Sequence, residues 1–363
     1  MNYAMFALGL VTLVAGAQIM VRGSSKLALS FGISPLVVGL TVVAFGTSAP
    51  ELAVSARSSW GGQVDIALGN VIGSNIFNVL FILGISALIA PLLVAPQLIR
   101  QEVPFMFGAS LLLLALASDG GIGRADGALL FGLLILYVVF LIRQSRRESQ
   151  AAQDEYAQEF AAPAAATWDR HWSMQLALIA GGLVLLVVGA NWLVEAAVGF
   201  ARALGLSEMV IGLTIVAVGT SLPEVATSLV ATLRGERDIA VGNVIGSNIF
   251  NLLGVLGLSS LVAPAALPVA QAMLSFDMPV MIGVALACLP IFFTGHVIAR
   301  WEGALFLFYF FAYTAYLLLA SRQHDLLDTY GTAMVTVVIP LTAVTLAVFA
   351  GRHWRARRGG LIE

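Results

Sequence analysis

Long apolar runs recur along this chain of 363 residues, and short polar segments separate them. A helix needs about 20 apolar residues to cross a hydrocarbon core of roughly 30 Å, and each run approaches that length. The pattern predicts eleven membrane-spanning helices, at residues 4–21, 35–56, 66–90, 103–118, 125–142, 174–194, 208–231, 239–262, 272–294, 301–320 and 333–350. A membrane β-barrel would show shorter segments that alternate apolar and polar positions. The expected fold class is therefore an all-α polytopic membrane protein.

Composition supports this class, because 60% of the residues are hydrophobic, only 10% are charged and the mean hydropathy is +0.96. A soluble protein of this length carries more polar surface. The single cysteine, Cys288, lies inside a predicted span, so neither a disulfide framework nor a cysteine-based metal site is expected. We expect a multi-pass protein of the cytoplasmic membrane with the lipid bilayer around it, no cofactor and no nucleic-acid partner.

The basic residues predict the orientation of the chain. No Lys or Arg precedes the first span, and Arg22 and Lys26 follow it, which is the reverse of a cleaved signal peptide. With the N-terminus outside and eleven spans, 14 of the 18 Lys and Arg residues fall on the cytoplasmic side and four fall outside. This is the bias that the positive-inside rule describes.

One passage occurs twice, at residues 39–78 and 212–251, with a constant offset of 173 and 26 identical positions out of 40. Five predicted spans separate corresponding points, so the second copy is inverted relative to the first. Inverted repeats with interrupted helices are a signature of secondary transporters. We predict a first five-helix repeat at 1–142, a cytoplasmic linker at 143–172, a second repeat at 173–320, and an extra helix with a basic tail at 321–363.

Each copy contains a Thr-Ser-x-Pro-Glu motif inside an apolar run. Pro50 and Pro223 cannot donate a backbone hydrogen bond, and the residues before them, Ala49 and Leu222, are expected to leave helical geometry. The predicted break frees backbone carbonyls in mid-membrane, where they must line a buried or wet site. The motif also supplies the hydroxyls of Thr47, Ser48, Thr220 and Ser221 and the carboxylates of Glu51 and Glu224. Hard cations such as sodium and calcium prefer such oxygen ligands.

The second shared element, GNVIGSNIFN, places a polar stripe on an apolar helix. The element supplies Ser74, Asn75 and Asn78 in one copy and Ser247, Asn248 and Asn251 in the other. Residues four apart share one helix face, so Asn70, Ser74 and Asn78 form a stripe along the helix. The stripes fit ion ligands, and they also fit hydrogen bonds between helices. Paired glycines, Gly69 with Gly73 and Gly242 with Gly246, predict close helix packing on a neighbouring face.

Simpler explanations apply to several acids. Ser48-x-x-Glu51 and its repeat fit a capping box, but an acid in mid-membrane costs about 2.5–3.5 kcal/mol and a cap contributes about 1 kcal/mol. Capping alone therefore does not explain two glutamates. Glu102 and Asp277 precede prolines at predicted span starts and are interpreted as helix N-terminal acids. The segment with Asp119 and Asp126 is interpreted as an ordinary turn.

The sequences GTSAPE and GTSLPE, each followed by GNVIGSNIFN, resemble the calcium/cation antiporter superfamily, specifically the bacterial sodium/calcium exchangers. The resemblance covers nearly all of residues 1–320 and implies two inverted five-helix repeats. It also implies ion binding midway across the membrane, with Glu51 and Glu224 as calcium-binding acids and first helices, 4–21 and 174–194, that slide during transport. The implied sodium and calcium ligands are Thr47, Ser48, Thr220, Ser221, Ser74, Ser247 and Asn78, with the backbone carbonyls of Ala44 and Ala217.

One position departs from some exchangers of this family, which have an aspartate where this chain has Asn251. Two glutamates then balance one calcium ion and leave no further titratable carboxylate. The resemblance implies an antiporter that works by alternating access. We expect sodium and calcium to compete for the glutamate pair, with calcium efflux driven by sodium entry. The alternatives are a proton/calcium exchanger, whose glutamates carry protons, and a passive calcium channel. An intramembrane enzyme is disfavoured, because no nucleophile–base pair has a workable spacing.

Overall fold

The computed structural model describes residues 2–145, 171–203, 217–321 and 323–358. The first repeat contains α1 (Asn2–Phe31), α2 (Pro35–Thr47), α3 (Ala49–Trp60), α4 (Val64–Ile89), α5 (Leu98–Ala117) and α6 (Arg124–Ser145). The second contains α7 (Trp172–Ala203), α8 (Ala217–Gly219), α9 (Leu222–Leu233), α10 (Arg237–Val262), α11 (Met273–Phe293) and α12 (Arg300–Ser321). A last helix, α13 (Leu327–Phe349), continues to Arg358.

The all-α fold class is confirmed, since nine described helices are long and apolar enough to cross a membrane. The bent pair α2 and α3 makes a tenth candidate span. The start of the predicted span 208–231 lies outside the described residues, and α8 and α9 are its described part. Most of the predicted linker 143–172 also lies outside them. The first span does not end at residue 21 as predicted. The helix continues for ten more residues, to Phe31, and Ser24 and Ser25 are buried in this extension.

The first helices of the two repeats, α1 and α7, pack against each other in opposite directions. Gly9 of α1 approaches Gly189 of α7, and Gly16 approaches Gly182. A Cβ added at Gly16 would lie 2.7 Å from the Leu186 backbone nitrogen, so these positions allow the backbones to touch. The seven-residue spacing keeps the glycines on one helix face. Antiparallel packing of matching helices is the arrangement that an inverted duplication requires.

The predicted helix breaks occur, but one residue earlier than expected. α2 and α3 meet at an angle of 46° around Ser48, whose φ and ψ are −81° and 7°. Ser221 has nearly the same angles, −87° and 5°, between α8 and α9. The expectation that Ala49 and Leu222 leave helical geometry is therefore wrong. Ala49 and Leu222 are instead the first residues of α3 and α9, and each is followed by the proline. In the first turn of a helix a backbone N–H has no partner within the helix, so the N–H that proline lacks costs no hydrogen bond.

Wider π-helical turns interrupt matching helices. They occupy Asn78–Leu83 in α4 and Asn251–Val255 in α10, and also Leu98–Glu102 in α5 and Met273–Asp277 in α11. Because α5 and α11 begin with such turns, Glu102 and Asp277 lie at the fifth residue of each helix, and their interpretation as N-terminal acids is wrong. Glu102 instead accepts hydrogen bonds from Tyr137 and from Gln97, and Asp277 accepts one from Tyr313.

Two small antiparallel ribbons connect the repeats outside the helices. β1 (Leu92–Leu93) pairs with β4 (Val297–Ile298), and β2 (Gly121–Ile122) pairs with β3 (Leu267–Pro268). Each ribbon joins a loop of one repeat to a loop of the other. The interpretation of the nearby Asp119–Asp126 segment as a turn agrees with its contacts, since Asp119 and Asp126 accept backbone N–H groups of Gly121 and Gly123.

The predicted glycine packing is seen in the second copy of the motif. A Cβ at Gly246 would meet the Leu40 carbonyl oxygen at 2.6 Å, and one at Gly242 would meet the Leu36 carbonyl oxygen at 3.0 Å, so α10 lies directly against α2. By the repeat, Gly69 and Gly73 would face residues 209–213, which lie outside the described residues. For that pair the packing stays a prediction.

The α1–α7 contact predicts different outcomes for two adjacent glycines. Gly182→Ala would place a methyl group 2.7 Å from the Met20 nitrogen, so we expect a loss of about 1–3 kcal/mol of stability. Gly181→Ala is the matched control, because nothing lies within 4 Å of its added Cβ. It should be neutral or gain up to about 1 kcal/mol from helix propensity. Thermal unfolding of both purified variants in detergent measures the difference, and equal midpoints would contradict the close contact.

Candidate cation-binding site

The two helix breaks bring the two predicted carboxylates into the centre of the bundle. Glu51 lies in the first turn of α3 and Glu224 in the first turn of α9, and both side chains are fully buried. The serines before the prolines, Ser48 and Ser221, have backbone angles outside the helical region, so their side chains turn away from their own helices. Such angles recur in functional sites.

The two repeats exchange hydrogen bonds at this centre. The Ser48 hydroxyl donates to Glu224 Oε1 at 3.0 Å, and the Ser221 hydroxyl donates to Glu51 Oε1 at 2.9 Å. Neither serine forms a side-chain cap on the helix that it precedes. The capping-box explanation is therefore wrong, because each hydroxyl is used by the carboxylate of the opposite repeat.

The threonines of the motif contact asparagines that the sequence analysis did not single out as site residues. Thr47 donates to Asn243 Oδ1 at 3.1 Å, and Thr220 donates to Asn70 Oδ1 at 3.3 Å. Each asparagine amide in turn donates to the backbone carbonyl of the glutamate in its own repeat, Asn70 to Glu51 at 3.2 Å and Asn243 to Glu224 at 3.5 Å. The signal was present in the sequence, since each asparagine lies four residues before the stripe serine.

Each of these asparagine amides also donates to a serine hydroxyl oxygen. Asn70 donates to Ser55 Oγ and Asn243 donates to Ser228 Oγ, both at 2.9 Å. Ser55 and Ser228 follow the glutamates by four residues, so one helix face of α3 and of α9 presents the acid and the serine together. The amides therefore fix the helix turn that carries each glutamate.

The polar stripes of α4 and α10 meet the same centre. Ser74 shares a hydrogen bond of 3.2 Å with Ser221, and Ser247 lies 3.4 Å from Thr47. Asn78 donates to Asn248 Oδ1 at 3.0 Å, so the interhelical explanation of the stripe holds for part of it. It does not hold for Asn251, whose amide oxygen and nitrogen both lack a partner although the side chain is fully buried.

Several buried oxygen atoms accept no hydrogen bond, two on the glutamates and two on stripe residues that lie one helix turn beyond Ser74 and Ser247. They are Glu51 Oε2, Glu224 Oε2, Asn78 Oδ1 and Asn251 Oδ1. Leaving one buried acceptor unpaired costs about 1–3 kcal/mol, and more if the group is charged. Two carboxylates and two amide oxygens are the donor set that a hard cation binds.

The two carbonyls implied as sodium ligands differ. The Ala44 carbonyl accepts the Ser48 N–H at 3.0 Å and the Thr47 hydroxyl at 3.4 Å. In the second repeat the Ser221 N–H bonds to Val218 at 3.2 Å instead of to Ala217. The two breaks are therefore not wound identically.

The acidic content of the site is limited to the glutamate pair. Within the described ranges, no three His, Cys, Asp or Glu side chains come together to hold a metal ion. A bound cation would depend on two carboxylates and on neutral hydroxyl, amide and carbonyl oxygens.

Broken helices that meet at paired acids, between two repeats packed in opposite directions, define a secondary transporter of the cell membrane. The sodium/calcium exchanger protein family matches residues 1–143 and 174–319, and the chain belongs to this family. It is thus a multi-pass membrane antiporter of this family.

Individual relatives agree over nearly their whole length. The chain is 40% identical over 318 residues to the putative antiporter CaxA of Alkalimonas amylolytica, covering 86% of this chain and 97% of that protein. It is 34% identical over 341 residues to the sodium/calcium exchanger MaX1 of Methanosarcina acetivorans, with the same coverage. A solved structure of the sodium-calcium exchanger NCX_Mj, soaked with 2.5 mM Na⁺ and 1 mM Sr²⁺, superposes with a TM-score of 0.74 at 33% identity, covering 86% of this chain and 97% of that one.

The site predicts how calcium affects stability. A cation that binds the folded protein stabilises it, by about 2.7 kcal/mol at 100 times the dissociation constant. We expect calcium to raise the thermal unfolding midpoint of the wild type and not of Glu224→Gln, which keeps the shape of the side chain but removes its negative charge. Glu195→Gln removes a carboxylate from the exposed face of α7 and should keep the calcium shift. An unchanged shift in Glu224→Gln would remove that residue from the site.

Proposed function

We propose that this protein exchanges sodium for calcium across the cytoplasmic membrane by alternating access, with calcium leaving the cell as sodium enters. The observation that carries the proposal is the buried pair Glu51 and Glu224, each held by a serine of the opposite repeat and each with an oxygen that no protein group satisfies. The proposed calcium and sodium ligands are the set implied by the family, completed by Asn251.

Charge balance explains why the transport is an exchange. Two carboxylates match one calcium ion or two competing sodium ions, with further sodium at the hydroxyls and carbonyls. A buried charge without a partner is strongly unfavourable. The carrier therefore changes sides only when ions occupy the glutamate pair, which couples the movement of one ion to the return of the other.

The packing of the first helices is asymmetric in a way that supports alternating access. α1 covers one face of α9, so that Ala226 and Val230 are only 7% and 9% exposed. Their counterparts on α3, Ala53 and Arg57, are exposed. Among the described residues, α7 forms no comparable contact with α3. In an inverted repeat the opposite arrangement, with α3 covered and α9 open, is the natural second state.

The loop after α9 strengthens the observed arrangement. The Arg234 guanidinium donates to the Gln18 carbonyl of α1 at 3.2 Å. At the matching position after α3 the repeat has Gly61, which has no side chain to do this. We propose that this contact holds α1 against α9, on the side predicted to be cytoplasmic.

Transport into proteoliposomes tests the function directly. Radiolabelled calcium should enter vesicles loaded with sodium, and should not enter sodium-free vesicles, because the outward sodium gradient supplies the driving force. Glu51→Gln should abolish this uptake, and the exposed substitution Glu195→Gln should leave it intact.

Other results separate the alternatives. Uptake driven by a pH gradient without sodium would replace the proposal with proton/calcium exchange. Uptake with no counter-ion gradient at all would point to a channel. Sodium-driven uptake that persists in Glu51→Gln would support the exchange but contradict the site.

Thiol labelling tests the two-state packing. In a Cys288→Ser background, which removes the one buried native thiol, an impermeant reagent should modify Ala53→Cys readily and Ala226→Cys slowly. Adding Arg234→Gln should weaken the α1–α9 contact, and so slow labelling of Ala53→Cys and speed labelling of Ala226→Cys.

The opposite directions of the two changes distinguish a shift between states from general loosening, which would speed both. Arg237→Gln, three residues further on, is the control for loss of a nearby charge and should change neither rate. Parallel changes at the two positions would contradict the proposed alternation.

A further inference from the structure

A groove on the lipid-facing side of the first repeat begins between α5 and α6 and continues along α6 towards its end, and it shares no lining residue with the ion site. It consists of a cavity of about 360 Å³ and an adjoining cavity of about 390 Å³, which share Leu136 and Phe140 as walls. Both shared side chains are more than half exposed, so the groove opens towards the bilayer. The first cavity is lined by Gln101, Glu102, Phe105, Leu133 and Tyr137 in addition, and the second by Val139, Arg143 and Gln144.

The second repeat shows why the first cavity exists. Both repeats keep an acid–tyrosine hydrogen bond between the corresponding helices. Beside that bond, the Phe276 ring stacks on Tyr316 with ring centroids 4.0 Å apart. The counterpart of Phe276 in the first repeat is Gln101, which has no ring to fill the same space. Gln101 therefore leaves room beside the tyrosine that a stacked ring occupies in the second repeat.

The polar groups of the groove also have no counterpart. Arg143 and Gln144 lie at the end of α6 that is predicted to be cytoplasmic, and the equivalent positions on α12 are Leu319 and Ala320. Arg143 is exposed and offers a fixed positive charge to a phosphate. The amide oxygens of Gln101 and Gln144 are buried and accept no hydrogen bond. Glu102 needs no additional ligand, because Gln97 and Tyr137 already donate to its two oxygens.

These groups describe one ligand chemistry. The positive charge of Arg143 matches a phosphate ester at the membrane surface. The unpaired glutamine oxygens match N–H or O–H donors on the same molecule, and the apolar cavity matches an acyl chain. We propose that the groove binds one phospholipid of the leaflet predicted to be cytoplasmic, with its phosphate at Arg143. The donors of its headgroup bond to the glutamine oxygens, and an acyl chain fills the space that Phe276 occupies in the other repeat.

The proposal can be tested without any transport measurement, since it does not depend on which ions are exchanged. Delipidated protein is incubated with phosphatidylethanolamine, phosphatidylglycerol or phosphatidylcholine, and retained lipid is counted by native mass spectrometry. The first two headgroups carry ammonium or hydroxyl donors, and phosphatidylcholine carries a phosphate without them. We expect one molecule of a donor-bearing lipid to be retained and phosphatidylcholine to be lost.

Substitutions locate the bound molecule. Gln101→Phe, which copies the second repeat, should fill the cavity and remove the adduct without disturbing the fold. Arg143→Gln should remove it as well, whereas Arg100→Gln, which removes an exposed charge at the start of α5 outside the groove, should keep it. Gln144→Leu tests the acceptor separately and should abolish the preference over phosphatidylcholine. Equal retention of all three lipids, or an adduct that survives both Gln101→Phe and Arg143→Gln, would overturn the proposal.

Discussion

The structure depends on holding Glu51 and Glu224 together in an apolar interior. Two buried carboxylates repel each other and lose the hydration that stabilises their charge, so the site is tolerable only with hydrogen-bond donors and a cation. A serine hydroxyl of the opposite repeat donates to each acid. The breaks in α2–α3 and α8–α9, the amides that fix the glutamate turns and the close approach of α10 to α2 all serve this one arrangement.

The duplication places the same set of hydrogen-bonding residues around each of the two carboxylates. The same bonds recur across the site: serine to glutamate, threonine to asparagine, and asparagine to the glutamate carbonyl. The loops repeat the principle outside the membrane, because each two-stranded ribbon pairs a strand of one repeat with a strand of the other. Neither repeat can form this centre alone, so the folding of the two halves and the assembly of the carboxylate pair are coupled.

The differences between the repeats are as informative as the similarities. Arg234 contacts α1, and its counterpart Gly61 cannot; Phe276 fills a space that Gln101 leaves open. Within the centre, each repeat presents the same hydrogen-bonding groups to the carboxylate of the other. The asymmetry lies at the periphery, in the contact between Arg234 and α1 and in the groove beside Tyr137. The two repeats therefore share the residues around the carboxylates and differ in the residues on their outer surfaces.

The sequence by itself determined the helices, the duplication and the identity of the paired acids, because apolar length, repeated motifs and proline breaks are local properties. Only the tertiary structure decided that Ser48 bonds to Glu224 instead of capping its own helix, since that bond joins residues 176 positions apart. It also revealed Asn70 and Asn243 as supports of the glutamate turns, and it moved Glu102 and Asp277 into helix interiors. Periodicity tells which face of a helix is polar, but which helices meet there follows from packing across the whole bundle.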